Sequence, residues 1–146
     1  MKLSDKALFG QSVTRVARYW RREIDQALGE CSLSQATALP LLILSRRGRD
    51  ARQRTIADEL GIEGPSLVRV IELLVSEGLV TRKEDPSDRR AKMLNLTDKG
   101  HRRVEQIEAA IGPVRERFLA DIPARDLAIA LRVLKQVEET IQEGSE

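Results

Sequence analysis

The sequence predicts a mainly α fold that carries one small β-hairpin, and three observations predict it. Apolar residues recur at three- and four-residue spacing through most of the chain. A short helix, a glycine-containing turn and a second helix follow one another between Gln53 and Glu77. Two strand-like runs then flank a polar, Pro-containing turn between Val80 and Leu96.

The elements are justified in order. Phe9, Val13, Val16, Trp20, Ile24 and Ala27 form one continuous stripe, so a helix is expected from about Asp5 to Leu28. Ser34 is a suitable N-cap for a second helix to about Ser45, rich in Leu39, Leu42, Ile43 and Leu44. Pro40 removes a backbone donor there and should kink the helix or mark a late start. Gln53–Leu60 forms a short helix that buries Ile56, Ala57 and Leu60, and Gly61 ends it. Pro65 opens the next helix, to about Glu77, in a favoured first position. Leu67, Val70, Ile71 and Leu74 form its inner face; Ser66, Arg69 and Glu72 lie on the outer one, and Gly78 stops the helix.

Val80–Glu84 and Ala91–Leu96 read as strands around a turn at Asp85–Arg90 whose tip carries adjacent arginines. A helix-turn-helix followed at once by a hairpin is a winged helix-turn-helix. Thr97 caps the following helix, whose stripe is Val104, Ile107, Ile111, Val114 and Phe118, bent at Gly112-Pro113. A last helix over Pro123–Glu143 presents Leu127, Leu131, Leu134, Val137 and Ile141. The organisation expected is N-terminal dimerisation and support helices over 1–45, the DNA-binding lobe over 46–100 and C-terminal dimerisation helices over 101–146.

Composition narrows the function. Of 146 residues, 41% are hydrophobic and 33% charged, as in a soluble globular protein, and no apolar run is long enough to span a membrane. The N-terminus has no apolar stretch of signal-peptide type, so a cytoplasmic location is expected. Cys31 is the only cysteine, which rules out an internal disulfide; it reads as a small buried residue, with redox sensing as the alternative. The net charge of +2 hides an asymmetry. Residues 82–103 hold eight Lys/Arg against four Asp/Glu, whereas residues 104–146 hold five against nine. Arg46, Arg47, Arg49, Arg52 and Arg54 form a second basic cluster. Basic charge gathered in the middle suits a polyanion.

Those residue types suit double-stranded DNA. Arginine presents paired donors that match guanine O6 and N7, so Arg69 on the outer face of the second helix is a base reader. Ser66 contacts a base or a phosphate beside the helix N-terminus. Arg89 or Arg90 enters a narrow minor groove or holds the backbone, and Arg54, Arg82, Lys83 and Lys92 are further candidate DNA contacts. The three apolar helical stripes exceed what one winged lobe can cover, which predicts an obligate dimer.

Ile62 through Arg69, then Gly78-Leu79-Val80, then Asp88-Arg89-Arg90-Ala91-Lys92 and Leu96-Thr97 resemble the MarR family of transcriptional regulators, near its SlyA branch. Arg18-Tyr19-Trp20-Arg21 in the first helix also fits, so the resemblance covers nearly the whole chain. It implies a homodimer on a palindromic operator; repression is the expected output, with activation the alternative. It gives Pro65, Ser66 and Arg69 major-groove roles, makes Arg89 and Arg90 the wing arginines, and makes Asp88 the residue that orients them. It further implies a pocket between the dimer helices and the DNA-binding lobe for a small aromatic or phenolic acid, with Arg15 and Arg18 close by. The second helix departs from the SlyA pattern, because Ala38 and Leu42 stand where some relatives carry Trp and His, so a more apolar pocket is expected.

Two other classes fit less well. One histidine, His101, and one cysteine, with no Gly-rich phosphate loop, no paired Cys/His spacing and no nucleophile elbow, give no basis for an enzyme, a metal or a cofactor. A winged-helix protein-interaction module is the alternative to a DNA binder, but such modules often lose the basic recognition face that Arg69 and the wing arginines supply here.

Overall fold

A computed structural model describes residues 1–145. Helix α1 spans Asp5–Glu30; Ser4 caps it, its hydroxyl accepting the Ala7 N–H at 3.2 Å, and Asp5 faces the positive end of the helix dipole. Only the C-terminal part of α1, through Ile24 and Leu28, joins the hydrophobic core. Cys31, expected to be buried, is exposed. It is the C-cap residue of α1, in a turn that faces water.

Helix α2 (Gln35–Arg47) supplies Ala38, Leu41, Ile43 and Leu44 to the core. Ser34 is its N-cap, but its side chain makes no capping bond; its carbonyl instead accepts the Ala38 N–H and the Thr37 hydroxyl, each at 3.2 Å. The helix begins ahead of Pro40, which lies inside it.

A strand that the sequence did not announce follows, β1 (Ala51–Arg52), and leads directly into α3 (Gln53–Leu60). Gly61 ends α3 at φ 67°, ψ 30°, a left-handed conformation that glycine adopts without a Cβ penalty. Helix α4 covers Gly64–Ser76, with Pro65 in its first turn, where a missing N–H costs nothing.

Strands β2 (Val80–Asp85) and β3 (Asp88–Leu96) form the hairpin, and the antiparallel sheet is ordered β1-β3-β2. Its turn is tighter than the expected Asp85–Arg90, leaving only Pro86 and Ser87 between the strands. The Asp85 carboxylate is the reason: it accepts the Ser87 N–H at 2.9 Å and the Ser87 hydroxyl at 2.7 Å, closing the chain two residues on. The arginine pair therefore lies within β3 rather than at the tip.

Helix α5 (Asp98–Leu119) follows Thr97, whose hydroxyl accepts the Gly100 N–H at 3.0 Å and donates to the Gly78 carbonyl at 2.6 Å. Helix α6 covers Ala124–Glu143. The chain divides into two compact units, residues 1–112 and 113–146. The first holds a single core in which Leu41, Leu44, Ile56, Ile71, Leu74, Leu79, Leu94 and Ile107 are fully buried. Truncating such a leucine to alanine typically costs about 2–5 kcal/mol, so this core fixes how α4 and the hairpin are presented. In the second unit, α6 has no buried residue among those described. No single helix among the described residues is long and apolar enough to cross a membrane.

Candidate nucleic-acid interface

Helix α4 turns Ile71 and Leu74 into the core and leaves Pro65, Arg69, Glu72 and Ser76 exposed on the opposite side, at spacings of four, three and four. Val68 and Ser66, both exposed, flank this face on either side. Arg69 and Glu72 share one face, yet among the described residues neither forms an ion pair or a side-chain hydrogen bond. A guanidinium without a partner keeps all its donors for an external acceptor.

The hairpin adds the second basic surface. Successive strand residues point to opposite faces, so Arg89 and Arg90 are presented on different sides of the wing. Both are exposed and without an ion-pair partner among the described residues, as are Arg54 at the start of α3 and Arg82 on β2. Asp88 accepts the Arg90 backbone N–H on its side chain at 3.0 Å, which holds the start of β3. Lys83 and Lys92 differ from these arginines. Lys83 Nζ lies 3.0 Å from an Asp50 carboxylate oxygen, and Lys92 Nζ lies 3.0 Å from Glu84 Oε1. In the first basic cluster, Arg46 and Arg47 both pair with Glu59, tying the end of α2 to α3.

Two acidic residues not singled out by the sequence shape this surface. Asp85, only 8% exposed, receives the Arg52 guanidinium at 2.7 Å. The Ser87 hydroxyl and N–H, with the Arg52 charge, hold its carboxyl below the usual value near 3.8. Asp50 sits in a left-handed conformation, φ 55°, fastened by Asn95 in both directions: its N–H donates to Asn95 Oδ1 at 2.8 Å, and Asn95 Nδ2 donates to its carboxylate at 3.0 Å. Asn95 and Lys83 together lower the Asp50 carboxyl as well. The Asp-Pro-Ser turn was the one sequence signal for Asp85; nothing in the sequence linked it to Arg52.

Among the described residues, the four expected near a ligand fall in two places, Arg15 and Arg18 on the surface of α1 and Ala38 and Leu42 in the core. Arg15 and Arg18 are exposed beside a shallow hollow formed by Gly10, Gln11 and Thr14 of the same helix. Arg18 also lies over the Tyr19 ring, 5.4 Å from its centroid. Ala38, 3% exposed, is part of the core, and Leu42 packs against it.

A family model described as the MarR family matches residues 33–91. The solved transcriptional regulator PA3341 is 37% identical, over 92% of this chain and 98% of that one, with a TM-score of 0.81. The transcriptional repressor CouR, solved bound to a 23-mer DNA duplex, is 27% identical over 95% of this chain and 99% of that one, with a TM-score of 0.70. CouR from Rhodococcus jostii RHA1, solved bound to p-coumaroyl-CoA, is 26% identical over 92% and 89%, again at 0.70.

Proposed function

This chain belongs to the MarR family of transcriptional regulators, and from that premise we propose that it binds a palindromic operator as a homodimer and represses transcription in the cytoplasm. The observation that carries the reading is the set of exposed arginines on one helix and one hairpin that form no ion pair among the described residues: Arg69 on α4, with Arg89 and Arg90 on the wing. Pro65 and Ser66 set the amino end of α4 against the groove, where base edges are read. Arg89 and Arg90 engage the minor groove or backbone beside it, and Asp88 orients them. Arg54 and Arg82 neutralise phosphates; Lys83 and Lys92 do so while shared with Asp50 and Glu84. The run Asp88-Arg89-Arg90-Ala91-Lys92 supports a place near the SlyA branch.

Residues 1–45 and 101–146 carry dimerisation in this reading, and 46–100 form the DNA-binding lobe. Val16 on α1 is 56% exposed, and Leu131 and Ile141 on α6 are 60% and 64% exposed. Obligate dimers cover such faces, in interfaces of about 2,000–5,000 Å². Two-fold symmetry then sets half-sites about 10 bp apart.

The effector is a small aromatic or phenolic acid. CouR, solved with p-coumaroyl-CoA, supports an aromatic acyl group as the ligand class. The carboxylate of a free acid would lie against Arg15 and Arg18 on α1, while Ala38 and Leu42, which belong to the core and not to the hollow beside those arginines, would shape an apolar wall only through the packing of α2. Ligand and operator would then weaken each other by the same factor.

Selection of bound duplexes from a random DNA pool by the purified full-length protein tests the reading. A two-fold symmetric sequence should emerge. Uniform binding, with no sequence enriched, overturns it in favour of a protein-interaction module.

A further inference from the structure

Resting on that operator-binding reading, we propose that Glu72 is a specificity-determining residue that selects cytosine beside the guanine read by Arg69. An acidic group is out of place on a surface meant for a polyanion, unless it contacts something other than phosphate. Glu72 stands on the exposed face of α4 between Arg69 and Ser76, opposite the buried Ile71 and Leu74. It is not there to neutralise Arg69: among the described residues the two make no ion pair, although their spacing permits one. Both side chains therefore stay available to the groove.

A carboxylate only accepts hydrogen bonds. The major-groove edges offer it two donors, the cytosine N4 amino group and the adenine N6 amino group. Adenine N6 lies beside the N7 acceptor of the same base, which repels a carboxylate, whereas cytosine carries no acceptor on its own major-groove edge. Cytosine is thus the base that Glu72 selects. Residues three apart on a helix are separated by about 4.5 Å along its axis, and duplex steps by about 3.4 Å. The cytosine accordingly falls within one or two base pairs of the guanine. Where the base is wrong, the charge is left unpaired near phosphates, so Glu72 also suppresses binding to random DNA.

The test is the same pool selection, run with the wild-type protein, Glu72→Gln and Glu72→Ala, together with titration of random-sequence duplex. The wild type should enrich cytosine at one position in each half-site, by roughly 5- to 150-fold over the other bases. Glu72→Gln can both donate and accept, so it should move that preference to adenine, whose N6 and N7 match an amide. Glu72→Ala should lose the preference there, and both variants should bind random duplex more tightly. If all three proteins enrich the same half-site, Glu72 reads no base and the inference falls, while operator binding stands. If the wild type enriches no sequence, operator binding itself falls and takes the inference with it.

Discussion

Arg52 Nη2 lies 2.7 Å from Asp85 Oδ2, although the two residues stand on opposite edges of a sheet ordered β1-β3-β2. The bond passes from the strand that precedes α3 to the end of the strand that enters the wing turn. It fastens the hairpin to the lobe carrying α4, so the two DNA-facing elements hold a fixed relation. Asp85→Asn keeps an acceptor for Ser87 but loses the charge that attracts Arg52. It should weaken operator binding, and Arg52→Ala should do the same. The double variant should be little worse than either single one; additive losses in a gel-shift titration would show that the pair does not act as a unit.

The same carboxyl sets a pH dependence. Its folded pKa is lowered, first by the Ser87 hydroxyl and then by the Ser87 N–H and Arg52. A lowered carboxylate contributes stability that is complete above its unfolded value, about 4, and is lost as pH falls through the folded one. The gap between wild type and Asp85→Asn in urea midpoint should therefore stay level through neutral pH and shrink only below about pH 4. A gap that changes between pH 6 and 8 would point to another group.

Arg69→Ala should cost roughly 1–3 kcal/mol per half-site and relax the preference at one base pair. Equal weakening on every duplex would instead mark Arg69 as a phosphate contact. Competition binding with single-base operator variants distinguishes the two.

Arg89 and Arg90 lie on opposite faces of the wing, so their substitutions should not be equivalent. A lost phosphate contact reduces the slope of log K against log salt by about 0.9. An arginine seated in a narrow minor groove also carries a preference for A·T pairs, which its alanine variant would lose. Salt titrations of Arg89→Ala and Arg90→Ala on A·T-rich and G·C-rich flanks assign each role. No change in either would mean that the hairpin does not touch DNA.

Gly100→Ala should be destabilising out of proportion to one methyl group. A Cβ built there meets the Leu79 carbonyl oxygen at 2.1 Å, and that oxygen already accepts the Thr97 N–H at 3.0 Å. Backbone must move at the joint between α4, β3 and α5, at a cost of about 1–3 kcal/mol or more. Thermal unfolding measures it, and a melting temperature within a degree of wild type would contradict the close approach.

The dimer is tested on α6. Leu131→Glu or Ile141→Glu places a charge on an exposed apolar face, where the isolated chain tolerates it. A homodimer would dissociate in sedimentation and lose operator affinity. A wild-type monomer at micromolar concentration that still binds DNA tightly would remove this part of the reading.

Much of the lobe was legible before any coordinates. The four-residue spacing of Ile56 and Leu60, and the four- and three-residue spacing of Leu67, Ile71 and Leu74, with Gly61 and Pro65 between the helices, carry their meaning locally, because a helix and its caps depend on residues a few places apart. The hairpin was legible for the same reason, and so was the basic character of α4 and the wing. Strand β1 was not: two residues have no period, and Ala51 and Arg52 become a strand only because β3 offers an unpaired edge. Nor could composition tell that Cys31 faces water, that Ala38 is sealed in the core, or that Lys83 and Lys92 are engaged while Arg69 and Arg90 make no ion pair among the described residues. Local order follows from neighbours along the chain. Burial and charge pairing follow from neighbours in space, and packing brings Asp50 to Asn95 and Arg52 to Asp85 across more than thirty residues.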